Sequence, residues 1–334
     1  MGEGLGDDEI LIRAGGSRDA RVVGVHGMAQ EPLPGVTATS CPAAAMILIA
    51  GGTGRLGSAV ANLLHRRGVP VRVLSRGLAP HPGSIDTAVE LVRGDVRDPV
   101  SLRMPMEGVD LVVSSVQGFM GPGGVTPQSV DRDGNTHLIE AAERVGADVV
   151  MVSVIGASSE SPMELMRAKY AAEERLRSSR SAWTILRPEA YAETWTEIIE
   201  QTAGRSQRPL VFGRGDNPIT WVSVGDVAAL VERAVVDATL RGRVLEICGP
   251  EPVTLTRLAE MIMTLHGWTG KPRHVPRPML HAMANTVGLL KPEMALRARA
   301  ALAMDEFPTT NDTAFRNEFP DLPCTPVSQV VAAL

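Results

Sequence analysis

The sequence has few cysteines, no surplus of basic charge and no long apolar run, and each shortage argues against a class of protein. The three cysteines, Cys41, Cys248 and Cys324, form no CxxC motif and no metal-ligand spacing, which is typical of reduced thiols in a cytoplasmic protein. The formal net charge is −5, which gives no indication of nucleic acid or an anionic membrane as a partner. No apolar run reaches the roughly 18 residues that a membrane-spanning helix needs. The seven histidines are scattered along the chain, and we expect no metal site.

Residues 1–45 differ in composition from the rest of the chain. They mix glycine, proline, alanine and charged residues without a sustained apolar period, and Asp7, Asp8 and Glu9 interrupt any secretory signal pattern. Because such a segment offers no apolar face to a core, we expect a mostly disordered extension. Met46 stands directly before the first convincing strand and is a candidate for the biological start.

From Met46 onward, short apolar segments alternate with segments of helical period. The predicted strands are Met46–Ala50, Val69–Leu74, Val89–Val92, Leu111–Ser114, Val149–Ser153 and Trp183–Leu186, and the predicted helices are Ser58–Arg67, Thr136–Val145 and Met163–Arg177. Repeated strand–helix units of this kind imply parallel strands with helices on both faces of the sheet. With 44% hydrophobic residues in 334, the chain can bury a large core. The sequence therefore predicts an α/β fold built on a Rossmann doubly wound parallel sheet.

The loop after the first strand has the pattern of a dinucleotide-binding loop. Its residues, Gly51-Gly52-Thr53-Gly54-Arg55-Leu56-Gly57, fit both GxGxxG and GxxGxxG. The loop follows an apolar strand and opens an amphipathic helix, which is the context that supports the motif. One glycine allows the tight turn, one lets the backbone approach a pyrophosphate, and one lets helix and strand pack closely. The pyrophosphate is then expected against the free N–H groups and positive dipole end of that helix.

The end of the second strand favours NADP over NAD. An NAD site usually has an Asp or Glu there, about 20 residues after the loop, to accept from the ribose 2′-OH. This chain has Ser75-Arg76 instead. The guanidinium of Arg76 can pair with a 2′-phosphate, and Arg55 could do so from the other side; alternatively, Arg76 is an ordinary solvated arginine. We therefore expect NADP(H) as the cofactor.

Residues after the third and fourth strands are expected to complete the cofactor site, because the carboxyl ends of parallel strands meet at one edge of the sheet. Gly94-Asp95-Val96 follows the third strand. Asp95 is placed either to meet the adenine edge or to serve as a turn or helix N-cap residue. Ser114-Ser115-Val116 follows the fourth strand, near the expected nicotinamide.

After Pro188 the alternation of strand and helix loosens. Three further elements are predicted, namely the helices Val222–Ala234 and Thr256–Leu265 and the strand Val244–Ile247. We expect an NADP-binding domain over residues 46–189, to which 221–249 returns. We expect a smaller C-terminal substrate-binding lobe, covering the cofactor cleft, from residues 190–220 and 250–334.

These motifs resemble those of the atypical short-chain dehydrogenase/reductases, especially the NmrA-like branch. The resemblance runs from Met46 to about Pro308. Its pieces are Gly51–Gly57, Ser75-Arg76, Arg93-Gly94-Asp95, Val130-Asp131-Arg132-Asp133-Gly134-Asn135, Ser153, Lys169, Leu186-Arg187-Pro188 and Val224-Gly225-Asp226-Val227. It implies an extended Rossmann fold with NADP(H) lying across the strand ends. The branch contains reductases, quinone reductase-like enzymes and proteins that bind the nucleotide as redox sensors, so the resemblance does not fix a substrate.

In active members of that superfamily, a serine after the fifth strand, a tyrosine and a lysine form the catalytic set, with the tyrosine four residues before the lysine. By this resemblance Ser153 matches the serine and Lys169 the lysine, whereas Leu165 stands at the tyrosine position and cannot exchange a proton. Tyr170 lies five positions from Leu165, about 140° around a helix, and does not replace the tyrosine.

The departure at Leu165 leaves several roles open. Lys169 would act alone, on the ribose or as a general acid, or it is an ordinary solvated helix lysine. Ser153 is either part of the site or a strand-end hydrogen-bonding residue. Tyr191, one of only two tyrosines, could replace the missing donor or simply line the pocket. It follows Glu189, at the point where the chain crosses to the smaller lobe.

Two functions of different classes fit this sequence. The first is an NADPH-dependent reductase that transfers hydride to a small apolar acceptor such as an enone, quinone or imine, because such acceptors depend least on a strong proton donor. The alternative is a non-catalytic NADP(H)-binding redox sensor that acts through a protein partner. An isomerase or epimerase ranks last, since the usual tyrosine is absent. We expect a cytoplasmic protein that acts on a small-molecule substrate and has no nucleic acid or membrane partner. A homodimer is left open.

Overall fold

The computed structural model describes residues 45–77, 85–119, 125–285, 292–310 and 313–334. The predicted extension, except for Ala45, lies outside these ranges. The strands are β1 (Ile47–Ala50), β2 (Val71–Ser75), β3 (Glu90–Arg93), β4 (Leu111–Ser114), β5 (Asp148–Val152), β6 (Trp183–Pro188), β7 (Leu210–Phe212), β8 (Pro218–Ile219), β9 (Arg243–Ile247), β10 (Val253–Thr254) and β11 (Arg273–Val275). The helices are α1 (Arg55–Arg66), α2 (Asp133–Val145), α3 (Glu164–Arg177), α4 (Ala192–Ala203), α5 (Val224–Val236), α6 (Leu255–Leu265), α7 (Arg277–Asn285), α8 (Pro292–Met304), α9 (Thr313–Glu318) and α10 (Val327–Ala333).

Seven parallel strands form the main sheet, in the order β3-β2-β1-β4-β5-β6-β9. The direction in which successive strands are added reverses between β1 and β4. In open α/β sheets the ligand crevice forms at such a reversal, outside the carboxyl ends of the strands. The topology therefore places the crevice directly beside the glycine loop that follows β1.

Both faces of the sheet are covered, as the near-continuous apolar runs in its strands require. Ile47 and Ile49 of β1 pack on one face with apolar residues of α1 and α5. Leu48, which points to the opposite face, packs with apolar residues of α2 and α3. The predicted doubly wound α/β sheet is thus confirmed.

The segments that leave the main sheet have an apolar core of their own. It joins α4, α6 and α10 with the short strands β7 and β8, and its central residues include Ile199, Trp221, Leu258, Ile262 and Val330. β8 pairs with β10, and β7 with β11, outside the seven-stranded sheet. All of these elements fall within residues 190–220 and 250–334, the part of the chain predicted as the smaller lobe.

Local signals explain several element boundaries, although α1 and α2 each begin three residues before the predicted start. α2 ends at Gly146, which has φ +76°, the left-handed conformation that glycine adopts without strain. Its start lies at Asp133 rather than Thr136, because a π-helical turn over Pro127–Arg132 leads into it. Thr126 caps that turn by accepting a hydrogen bond from the Ser129 N–H. The turn matters because it carries Asp131 to the site described below.

No helix within the described ranges is long and apolar enough to span a bilayer. The same residues contain no group of three or more histidine, cysteine, aspartate and glutamate side chains arranged to hold a metal ion.

Deleting the residues before Met46 is expected to leave folding unchanged, because they offer no periodic apolar face to the core. The N–H of Met46 donates to Asp110 Oδ2 at 2.8 Å, which binds the residue before β1 to the rest of the domain. Thermal unfolding and NADPH titration of the shortened and full chains test this. A lower melting temperature or loss of solubility on deletion would show that the segment contributes to the fold.

Candidate nucleotide-binding and active site

The glycine loop packs tightly against the end of β4. Gly51 has φ +81°, and a Cβ there would lie 2.7 Å from the carbonyl oxygen of Ser115. Both the N–H and the hydroxyl of Ser115 donate to the Ala50 carbonyl at 2.9 Å. A Cβ on Gly57 would lie 2.4 Å from the Gly51 carbonyl oxygen. Because only glycine fits at these positions, the loop backbone can lie directly against the end of β4 and the start of α1.

The N-terminus of α1 is suited to an anion. Its N-cap residue, Gly54, provides no side-chain cap, and the first turn of the helix contains no acidic residue. The free N–H groups and the positive end of the helix dipole can therefore bind a pyrophosphate. This cradle, which a Cβ would fill at Gly51 or Gly57, fits the dinucleotide that the motif predicts.

Three residues at the ends of β2 and β3 form a candidate 2′-phosphate site. Ser75 pairs in register with Arg93 on the neighbouring strand, and Arg76 follows directly. A Cβ on Gly77 would lie 3.8 Å from Arg93 Nε, so the Arg93 side chain reaches over the turn after β2. Sequence reasoning assigned no role to Arg93, because its closeness to Arg76 depends on strand pairing.

Asp95 serves as a turn residue in this structure. Its carboxylate accepts from the Arg97 N–H at 2.9 Å and from the Arg97 guanidinium at 2.6 Å. The hydrogen bond from Arg97 holds the pKa of Asp95 below its usual value, and the positive charge of Arg76 contributes further. These contacts match the turn alternative and leave the adenine contact a prediction. Val96 is buried beside Gly134 of α2.

Arg55, the other predicted phosphate partner, forms an ion pair with Glu197 of α4. The pair joins the glycine loop to the first helix outside the main sheet. About two fifths of each side chain is exposed, 39% and 40%, so solvent weakens the pair. Arg55 is thus near the pyrophosphate end of the crevice, and its contact with the 2′-phosphate remains a prediction.

Lys169 of α3 is buried and is held within the protein by two hydrogen bonds and an ion pair. Its ammonium donates to the carbonyls of Val116 and Val152 at 2.9 and 3.0 Å and pairs with Asp131 Oδ1 at 3.1 Å. Asp131 is completely buried, and its other oxygen accepts from the Gly118 N–H at 2.8 Å. Burial raises the pKa of Asp131, and the neighbouring ammonium opposes this rise. Lys169 therefore connects the segment that follows β4 with the end of β5.

Ser153 is also bound to a buried carboxylate. Its hydroxyl donates to Glu173 Oε1 at 2.5 Å, and Glu173 lies one turn beyond Lys169 on α3. Glu173 in turn pairs with Arg177 at 2.9 Å and with Arg187 at 2.6 Å. Two guanidinium groups thus compensate the buried charge of Glu173. Ser153, which the family resemblance assigns to catalysis, therefore donates its hydroxyl proton to the Glu173 carboxylate.

The serines after β4 have partners as well. Ser114 donates to Asn135 Oδ1 at 2.5 Å, and the amide of Asn135 donates to the Asp131 carbonyl at 2.7 Å. These bonds link the end of β4 to the start of α2. The hydroxyls of Ser114 and Ser115 consequently shape the floor of the crevice.

Neither tyrosine shares the face of α3 that carries Leu165 and Lys169. Leu165, on the same face of α3, is buried. Tyr170 is half-buried on the adjoining face. Tyr191 packs against the core between the sheet and helices α1 and α5, and burial raises the pKa of its phenol.

Glu189 follows β6 at the same edge of the sheet. Its Oε2 accepts from the Thr310 hydroxyl at 2.8 Å and its Oε1 from the Ala190 N–H at 3.1 Å. Burial raises the pKa of its carboxyl, the two hydrogen bonds oppose the rise, and the negative charge of Glu246 on β9 adds to it. The sequence placed Glu189 near the cleft but gave no sign of Thr310, which is distant in sequence.

Comparison with known proteins agrees with this geometry. The model of a family described as NAD(P)H-binding matches residues 51–237. An NAD(P)H azoreductase of Xenophilus azovorans is 28% identical over 251 residues, 74% of this chain and 82% of the relative. The structure of an Escherichia coli NADPH-dependent quinone oxidoreductase with NADPH has a TM-score of 0.70 at 21% identity, covering 86% of this chain and 99% of the other. A Citrobacter triphenylmethane reductase with NADP(H) has a TM-score of 0.67 at 20% identity, with the same coverage. The family and the NAD(P)H cofactor expected from the sequence are confirmed.

Proposed function

We propose that this chain, which belongs to the NAD(P)H-binding family, is a reductase that transfers hydride from NADPH to a small apolar acceptor such as an enone, quinone or imine. The carrying observation is Leu165, which is buried on the face of α3 that presents Lys169. Leucine at this position cannot protonate a reacting oxygen. Conjugated acceptors fit such a site best, because negative charge left by hydride can delocalise over them before a proton arrives.

The relatives support a conjugated acceptor. By name they are an azoreductase, a quinone oxidoreductase and a triphenylmethane reductase, and each of these acceptor classes has an extended π system. The proposal places this chain in the NmrA-like branch of the atypical short-chain dehydrogenase/reductases. It assigns residues 190–220 and 250–334 to substrate binding, and residues 46–189 with 221–249 to the nucleotide.

The acceptor class is tested by measuring NADPH oxidation with ketones, enones, quinones and azo compounds. Simple ketones are expected to be the poorest substrates, because a catalytic proton transfer is typically worth about 10²–10⁴-fold in rate and they need it most. Tyr170→Phe is expected to change little, since Tyr170 lies off the Leu165–Lys169 face. Rapid ketone reduction that is lost in Tyr170→Phe would contradict this assignment.

Arg76→Ala is expected to weaken NADPH binding roughly tenfold to a hundredfold, the scale of a hydrogen bond between charged groups. NADH lacks the 2′-phosphate, so its affinity should hardly change. Arg93→Ala should cause a smaller loss of the same kind, because Arg93 reaches over the turn at Gly77. Fluorescence titration of both variants with NADPH and NADH measures this. Equal affinity of the parent protein for the two nucleotides would contradict an NADP site.

A second candidate function is a non-catalytic NADP(H) sensor with a protein partner. It is favoured by the carboxylates Asp131 and Glu173, which bind Lys169 and Ser153 and so restrain both groups of the expected catalytic set. Stable NADPH binding with no oxidation by any acceptor class would decide for the sensor.

We further propose that the protein acts in the cytoplasm, where scattered thiols stay reduced. A homodimer is compatible with this function, and light scattering would detect it as about twice the chain mass of 35.5 kDa.

A further inference from the structure

Glu189 lies where three parts of the chain meet at the carboxyl edge of the sheet. Its N–H donates to the Ile247 carbonyl at the end of β9, and the Ile155 N–H, after β5, donates to the Pro188 carbonyl. The side chain reaches Thr310 from the C-terminal segment. A half-buried carboxyl group thus joins the carboxyl edge of the sheet to the C-terminal segment.

The other polar candidates at this edge are held by partners within the protein. Ser153 donates to Glu173, and Lys169 donates to two carbonyls and forms an ion pair with Asp131. The serines after β4 donate to a neighbouring carbonyl and amide oxygen. The carboxyls of Asp131 and Glu173 are each paired with a cation, whereas the Glu189 carboxyl, among the described residues, accepts from two neutral groups, the Thr310 hydroxyl and the Ala190 N–H.

Solvent can reach Thr310, the partner of Glu189. A groove of about 500 Å³ runs along the edge strand β9, and its lining includes Ile155, Arg187, Cys248 and Thr310. The Thr310 hydroxyl also contacts Thr220 Oγ1 at 2.7 Å. A hydroxyl that contacts both the half-buried Glu189 carboxyl and a groove open to solvent can pass protons between them.

We propose that the Glu189 carboxyl is the proton donor of the reduction, and that Thr310 connects it to solvent. This inference rests on the proposed reductase function. The acceptor gains hydride at one end of its double bond while NADPH becomes NADP⁺, and the electron pair of that bond moves to the other end. The O–H bond of Glu189 then breaks and its proton joins that electron pair. The resulting carboxylate takes a proton from water through Thr310.

The environment of Glu189 suits this role. The charged group that faces Glu189 from β9 is Glu246, which pairs with Arg187 of β6 at 3.2 Å. The hydrogen-bond partners of the Glu189 carboxyl are neutral: Thr310 of the C-terminal segment and the N–H of Ala190, which precedes α4. Burial and the charge of Glu246 raise its pKa, so the protonated form persists to higher pH than for an ordinary carboxyl. The rate with a proton-requiring acceptor should then fall as pH rises through that pKa.

The experiment compares two acceptors in the parent protein, Glu189→Gln and the control Glu251→Gln, whose carboxyl is exposed. An azo compound needs a proton after hydride arrives. A triarylmethyl dye cation needs none, because hydride alone converts it to the neutral leuco form. Glu189→Gln is expected to reduce turnover of the azo compound by about 100-fold or more and that of the cation by less than about threefold. Glu251→Gln should match the parent with both.

The pH profile provides a second readout. With the azo acceptor, the alkaline fall in rate should be present in the parent and absent in Glu189→Gln. Equal losses with both acceptors, or no loss with either, would overturn the assignment of Glu189 while the reductase function stands. Thr310→Val should lower azo turnover by less than Glu189→Gln does. If the parent oxidises NADPH with neither acceptor, the proposed function itself fails, and the role of Glu189 with it.

Discussion

Lys169→Met is expected to lower the free energy of unfolding by about 3–5 kcal/mol, the usual cost of removing one partner from a buried ion pair. The substitution leaves Asp131, which is 0% exposed, without its cation. It also removes donors from the carbonyls of Val116 and Val152. Urea unfolding of the two proteins measures the difference.

Two further variants separate a structural role from a role in cofactor binding. Lys271→Met, at an exposed lysine, should change stability by less than about 0.5 kcal/mol. Adding Asp131→Leu to Lys169→Met should recover much of the stability, because no unpaired charge then remains buried. Reduced NADPH affinity without loss of stability in Lys169→Met would instead support the ribose contact that the family resemblance implies.

Gly57→Ala is expected to reduce NADPH affinity by about 100-fold, the loss of one or two hydrogen bonds to a charged group. The added Cβ would lie 2.4 Å from the Gly51 carbonyl oxygen and 2.5 Å from the Gly52 Cα. Both are backbone atoms, so the loop itself must move, and its N–H groups move with it. Nucleotide titration combined with thermal unfolding distinguishes lost binding from lost folding.

Gly225→Ala is the matched control for this substitution. Gly225 lies in the first turn of α5, and the nearest atom to an added Cβ is Ser223 Oγ at 3.4 Å, an ordinary contact. Alanine is favoured over glycine within a helix by up to about 1 kcal/mol, so this variant should bind NADPH like the parent and be at least as stable. Unchanged affinity in Gly57→Ala would show that the loop does not approach the pyrophosphate.

The sequence predicted the sheet because its signals are local. Most strands of the nucleotide-binding half are short apolar runs, the helices have their own period, and α1 and α2 are followed by glycines, Gly68 and Gly146. The glycine loop was recognisable for the same reason, since its residues act together within seven positions. The start of α2 was placed three residues late, because the π-helical turn before it gives no distinct periodic signal.

The hydrogen-bond and ion-pair partners of the polar residues could not be predicted from such local signals. Lys169 on a helix is ordinarily solvated, and only the folded chain brings Asp131 to it. Arg55 was expected at a phosphate, and the folded chain sets it against Glu197. Arg93 joins Arg76 only through the register of β2 and β3.

The sequence by itself thus determined the doubly wound fold, the glycine loop at which the nucleotide is expected and the absence of a tyrosine at position 165. Each of these depends on residues close together in the chain, where hydrophobic period and glycine spacing act. The tertiary structure decided which charged and hydroxyl groups are buried and what they bind, including the contact of Glu189 with Thr310. Such pairs join residues far apart in sequence, and their energies depend on distance and burial, which no local pattern records.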